Sequence, residues 1–227
     1  DALGQAQNVA KLSRADIAAC MATGGTGATT VAATMIAAHL AGIHVFATGG
    51  IGGVHKGAET TFDISADLHE LAQTPVTVVA AGAKAILDLE KTYEVLETLG
   101  VPVIAFGQDT LPAFWSATSS LPAPLRMDSA ADIAKAHQMR VAMGLPGGQL
   151  VTNPIPTDAQ IPAETLAPII AQALSEAESQ GIAAKGVTPF LLGRILELTD
   201  GASLVANIAL VRNNARLAAQ IAGAMGS

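Results

Sequence analysis

Lys84 closes the run Val78-Val79-Ala80-Ala81-Gly82-Ala83-Lys84. The β-branched stretch Val76–Ala80 predicts a strand. The apolar spacing of Ile86, Leu89, Tyr93, Leu96 and Leu99 predicts a helix from about Lys84 to Leu99, stopped by Gly100. A lysine at that junction meets the positive end of a helix and apolar surroundings. Both disfavour the ammonium and leave a neutral amine, the nucleophile that builds a Schiff base on a carbonyl carbon. The competing reading is a lysine whose stem lies on apolar surface while its head reaches water.

Three other constellations have chemical possibilities. Gly49-Gly50-Ile51-Gly52-Gly53-Val54-His55-Lys56-Gly57 follows a predicted strand, where sheet ligands bind. Its backbone N–H groups can converge on an anion, and His55 and Lys56 make it a candidate phosphate loop; the alternative is a surface loop with incidental basic residues. In Phe62-Asp63-Ile64-Ser65-Ala66-Asp67-Leu68, Asp63 and Asp67 flank the start of a predicted helix. Two carboxylates there suit one hydrated divalent cation, or serve only as cap and dipole complement. Gly24-Gly25-Thr26-Gly27-Ala28-Thr29-Thr30 is either an anion cradle or a tight turn. It fails the dinucleotide tests, because Thr30 stands where the third glycine belongs and no acid ends the next strand. Asn207, Asn213 and Asn214 lie in a helical pattern; amides suit a nucleobase edge because they both donate and accept.

The elements that carry these residues alternate. Strands are predicted at Asp16–Met21, Ile43–Thr48, Val76–Ala80, Val101–Phe106 and Gln149–Thr152. Helices are predicted from the Gly24–Gly27 turn to about Ala41, at Ser65–Gln73, at Lys84–Leu99 and from Asp128 or Ser129 to Met143. Asn153-Pro154-Ile155-Pro156 cannot be helical. Three more helices follow, beginning near Pro162, at Thr188-Pro189 and at about Ser203, the last running to Ala224. The pattern predicts a single α/β domain over residues 1–227, with a largely parallel central sheet and a helical C-terminal third.

Composition narrows the partners. The 227 residues are 50% hydrophobic and 3% aromatic, with 12 Lys plus Arg against 19 Asp plus Glu, a net charge of −7. That balance argues against nucleic-acid polymers and anionic membranes, and so few aromatic rings argue against stacking on single strands. The single cysteine, Cys20, excludes an intramolecular disulfide and a cysteine-based zinc site. No Asp, Glu, Lys or Arg occurs from Ile17 to His55, yet glycines cut that run at both ends and leave too short a helix to span a bilayer. A cytoplasmic location is expected from the lone thiol and the lack of a signal sequence.

Six blocks together carry a resemblance. They are Gly27-Ala28-Thr29-Thr30-Val31-Ala32, Val45 through His55, Phe62 through Leu68, Ala81-Gly82-Ala83-Lys84, Asn153-Pro154-Ile155-Pro156 and Thr188-Pro189-Phe190-Leu191-Leu192. In order and along essentially the whole chain, they resemble the pseudouridine-5′-phosphate glycosidase family (indigoidine synthase A-like). The resemblance implies a three-layer α/β/α sandwich, a homotrimer, and reversible manganese-dependent cleavage of a C–C glycosidic bond to uracil and ribose 5-phosphate. By position it implies Lys84 as the nucleophile that forms an imine with C1′ of the ring-opened ribose. Asp63 matches the manganese ligand. Lys11, Val31, Ser65, Ala66, Asp67 and Asn207 match substrate-binding positions, Val31 through its backbone and Asn207 toward the base.

One departure stands out. Family members begin several dozen residues earlier, with an Ala-Leu-Glu-Ser-Thr motif whose Glu is the family's proton donor. Here no Glu precedes Glu59. The expectation is a segment carried on a separate chain, lost, or not included in this sequence, with impaired turnover if the 227 residues act alone. The competing readings are a doubly wound nucleotide-binding domain and a catalytically impaired fragment.

Overall fold

A computed structural model describes residues 2–6, 9–182 and 186–226. After α1 (Ala2–Gln5) come β1 (Ala10–Leu12), α2 (Arg14–Ala22), β2 (Gly27–Thr29), α3 (Val31–Leu40), β3 (Val45–Ala47), α4 (Ala58–Thr61) and α5 (Ala66–Gln73). The chain continues with β4 (Thr77–Ala80), α6 (Leu89–Thr98), β5 (Val103–Phe106), β6 (Leu125–Met127), α7 (Ala130–Ala142) and β7 (Gln149–Thr152). It ends with α8 (Ala163–Ser179), α9 (Val187–Leu198) and α10 (Ala202–Met225).

The central sheet has the order β3-β4-β7-β5-β6, and every pair in it is parallel. Parallel strands need helices on both faces, so their residues read as continuous apolar runs. Val78 and Ala80 of β4, with Val103, Ala105 and Leu150, pack toward Leu68, Leu71 and Leu96 of α5 and α6. Val79, Ile104 and Val151 face the other way, onto Ile133 of α7 and Leu217 and Ile221 of α10. Three layers result. β1 and β2 form a separate parallel pair, with Lys11 beside Ala28.

Three expectations need correction. Asp16–Met21 is not a strand but the body of α2: the Asp16 carboxylate accepts from the Ser13 N–H (2.9 Å), and an alanine-rich run behind such a cap favours helix. In consequence Gly24–Gly27 closes a helix and does not open one. Gly24 is left-handed at φ 65°, and the Gly25 N–H returns to the Cys20 carbonyl at 2.9 Å. That spends the turn on capping and removes the anion-cradle reading. Finally, α6 starts at Leu89, because Asp88 is its cap and accepts from the Lys91 N–H at 3.1 Å. Lys84 therefore lies in a loop and not in the first turn of α6. Among the described residues no helix is long and apolar enough to cross a membrane.

Candidate functional site

The site forms beyond the carboxyl ends of β3, β4 and β7, around the glycine segment that leaves β3. That segment is threaded between two neighbours by backbone hydrogen bonds. On one side Ala81 N–H donates to Gly49 O (2.9 Å), Ile51 N–H to Gly82 O (3.1 Å) and Lys84 N–H to Ile51 O (3.2 Å). On the other, Ser65 N–H donates to Gly53 O and His55 N–H to Asp63 O, both at 3.0 Å. Lys84 and Asp63 thus flank the same segment. The glycines are required for this approach. A Cβ on Gly50 would stand 2.6 Å from the Phe114 ring, and one on Gly52 would overlap Ser65 Oγ and stand 2.8 Å from Asp67 Oδ2.

Asp67 locks the arrangement. It is buried in the first turn of α5, where Ser65 Oγ accepts from its N–H at 3.2 Å. Its Oδ2 accepts from Gly52 N–H and its Oδ1 from Ala32 N–H, both at 2.8 Å. One carboxylate therefore joins the glycine segment to the N-terminus of α3. There the Thr30 side chain takes the Ala33 N–H, and the Val31 N–H is the remaining first-turn donor. Ala66, the first residue of α5, is exposed.

The charged groups of this cluster sense one another. Lys84 is half-buried, and burial is the main cause that pushes its pKa below the usual lysine value. The Asp67 carboxylate works against that shift, and the Lys11 ammonium adds to it. The imidazole of His55 is likewise lowered, first by burial; Asp63 opposes the shift, and Lys11 and Lys84 reinforce it. Lys11, His55 and Lys84 thus act on one another, while Asp63 acts on His55 and Asp67 on Lys84. Lys56 is not among these neighbours. It is exposed, and its charge acts on Asp88.

The family described as indigoidine synthase A like protein matches residues 1–224. The chain belongs to that family. It is 75% identical over 225 residues to the pseudouridine-5′-phosphate glycosidase of Jannaschia sp. (strain CCS1), covering 99% of this chain and 74% of the relative. The enzyme of the same name from Roseobacter denitrificans is also 75% identical over 225 residues, with 99% and 73% covered. Among solved structures, the prealnumycin C-glycosynthase AlnA in complex with ribulose 5-phosphate has a TM-score of 0.91 at 38% identity, covering 97% of this chain and 73% of that one. An indigoidine synthase A-like protein from Thermotoga maritima has a TM-score of 0.88 at 36% identity, with 95% and 70% covered.

In this indigoidine synthase A-like chain Asn207 lies on α10. One turn later Leu210 and Val211 border Gly49, and Trp115 Nε1 donates to Asn207 Oδ1 at 2.9 Å. Two further residues support the site. Asn214 is fully buried: its Nδ2 donates to Thr48 O at 2.8 Å, and its Oδ1 accepts from Asn153 Nδ2 at 3.1 Å. Asn153 in turn donates its N–H to Ala80 O at 2.8 Å, so two amides tie α10 to the ends of β3, β4 and β7. The other is Tyr93, whose buried hydroxyl accepts weakly from the Ala83 N–H (3.4 Å) and is pushed up to about 12 by burial. The sequence marks Asn214 as a helix-disfavouring residue inside a helical run, whereas nothing local marks Tyr93 beyond its place on the apolar face of α6.

The donor set bears on a cation. Among the described residues, no three of His, Cys, Asp and Glu cluster closely enough to hold a metal. Each Asp67 oxygen accepts one backbone N–H, so that carboxylate is committed first to joining α3 and the glycine segment. Asp63 by itself fits a hydrated divalent ion that keeps most of its waters.

Proposed function

We propose that this chain is a pseudouridine-5′-phosphate glycosidase that cleaves the C–C glycosidic bond to uracil and ribose 5-phosphate, with Lys84 as the nucleophile. The observation that carries the reading is Lys84 itself: half-buried, lowered in pKa and set across the glycine segment from Asp63. A relative 75% identical bears that activity in its name.

The neutral Lys84 Nζ attacks C1′, and the C1′–O4′ bond breaks with its electron pair and a proton going to O4′. A proton added at C5 of the base then allows the C1′–C5 bond to break. The nitrogen lone pair forms C1′=N, the C–C pair stays with uracil, and water hydrolyses the imine to ribose 5-phosphate and free Lys84. The C5 proton is the family glutamate's task, and these 227 residues carry no Ala-Leu-Glu-Ser-Thr motif to supply it.

Lys11, the Val31 N–H and the Ser65–Asp67 turn bind the phosphosugar in this reading, with His55 beside them. Asn207 meets the base. Asp63 would hold manganese through one carboxylate and its waters, and the ion would supply positive charge to the anionic substrate. The reading includes a cytoplasmic homotrimer. Exposed Leu40 and Phe62 support burial of surface against other copies, and the lone free thiol supports the compartment. A nucleotide-binding domain is not favoured, because Gly24–Gly27 caps a helix. Release of uracil from pseudouridine 5′-phosphate with manganese present, lost in Lys84→Ala, tests the proposal; intact release in that variant would refute the nucleophile.

A further inference from the structure

Trp115 is buried, and its indole has one polar atom, an N–H that can only donate. A buried donor needs an acceptor, and Asn207 Oδ1 is that acceptor at 2.9 Å. A donor-only partner fixes an amide whose two ends are otherwise interchangeable. The oxygen of Asn207 is turned to the indole, and Nδ2, with two N–H donors, is turned away from it.

Trp115 is itself held in place. Its ring meets Phe114 edge-on at 4.9 Å, and its carbonyl accepts from the Ile161 N–H at 2.8 Å. Phe114 has a left-handed backbone at φ 62°, a strained conformation for a bulky residue. Its N–H donates to Ala81 O at 3.0 Å and its ring covers Gly50. The Trp115–Asn207 pair is therefore built onto the start of the glycine segment, within three residues of Lys84 in the chain that carries Ala81.

We propose that Trp115 is a positioning residue that presents the Asn207 amide to the base as a donor, so that the site selects a carbonyl-bearing pyrimidine over one carrying an exocyclic amine. This rests on the glycosidase reading. An amine would need the amide turned over, which would set Nδ2 against the indole N–H and orphan a buried donor. The discrimination thus comes from a residue that does not touch the base.

The test uses the full chain with ribose 5-phosphate, and measures uracil and cytosine binding by calorimetry and imine formation by borohydride trapping. None of these needs turnover. Trp115→Phe keeps the ring and removes the N–H. The expected result is uracil binding weaker by about five- to tenfold, a uracil-to-cytosine preference falling toward one, and trapping unchanged within about twofold. In an Asn207→Ala background, Trp115→Phe adds no further loss. Asn207→Asp keeps the acceptor for the indole and removes the donors; it retains the fold and loses uracil, which decides the matter if Trp115→Phe misfolds. An unchanged preference in Trp115→Phe, or full uracil affinity in Asn207→Asp, overturns the proposal. Wild-type chain that traps no ribose 5-phosphate overturns the glycosidase reading beneath it.

Discussion

Asp67→Asn changes one atom and separates two roles of the same carboxylate. The native side chain accepts from Ala32 N–H and Gly52 N–H, each at 2.8 Å, in a buried position. The amide accepts from only one of them and turns an NH₂ group against the other. Loss of a hydrogen bond to a charged group costs about 1.5–3 kcal/mol, and a buried orphan N–H about 1–3 kcal/mol. The sum is about 2.5–6 kcal/mol, or a fall in Tm of roughly 5–24 °C for a chain of this size. The second effect is electrostatic. The Asp67 carboxylate holds the Lys84 pKa up against burial, so its neutralisation lets that pKa fall further. Thermal unfolding measures the first effect. The pH midpoint of borohydride trapping with ribose 5-phosphate measures the second, and it moves to lower pH. A Tm within about 2 °C of wild type, with an unmoved midpoint, would refute the account of Asp67 as the lock of the site.

Two more predictions bear on the scaffold. Gly52→Ala drives a Cβ into Ser65 Oγ and Asp67 Oδ2, so trapping falls at least tenfold by an order-of-magnitude argument from misplacement of reacting groups. Gly42→Ala, at φ 72° with open space around it, costs only roughly 1–2 kcal/mol of backbone strain and leaves trapping intact. The pKa of His137 is lowered from 6.5 by burial, with His44 and Arg140 adding to the shift, while its Nδ1 lies 3.1 Å from Thr77 Oγ1. Below pH 6.5 the unfolded chain takes up a proton that the folded chain refuses, so stability falls as pH drops below that value. Chemical denaturation between pH 7.5 and 5 shows this slope in wild type and a shallower one in His137→Asn; equal slopes would remove His137 as a cause.

The sequence made the centre of the fold readable because buried parallel strands leave uninterrupted apolar runs. The predicted Gln149–Thr152 coincides with β7, and Val76–Ala80 exceeds β4 by one residue. Short, partly exposed strands leave no such run. β1 and β6 leave no apolar signature for that reason, and the apolar run Asp16–Met21 reads as a strand although Ser13 and Asp16 spell a helix start. Lys84 shows the same division within the site. Its apolar neighbourhood predicts the lowered pKa, but the helix-start contribution falls away because Asp88 delays the helix and leaves burial as the main cause. The Asp67 lock and the Trp115–Asn207 bond join residues 35 and 92 positions apart. Contacts at such separations depend on how layers pack, which local spacing does not encode.

The central claim is that the Lys84 amine forms an imine with the sugar. Borohydride reduction in the presence of ribose 5-phosphate, followed by peptide mapping, measures this directly and requires no proton donor to the base. The account predicts one reduced adduct on Lys84, absent from Lys84→Arg, whose rate rises with pH through a midpoint below the usual lysine range of about 10.4. An adduct on Lys11 or Lys56 with Lys84 unmodified, in correctly folded protein, would contradict it.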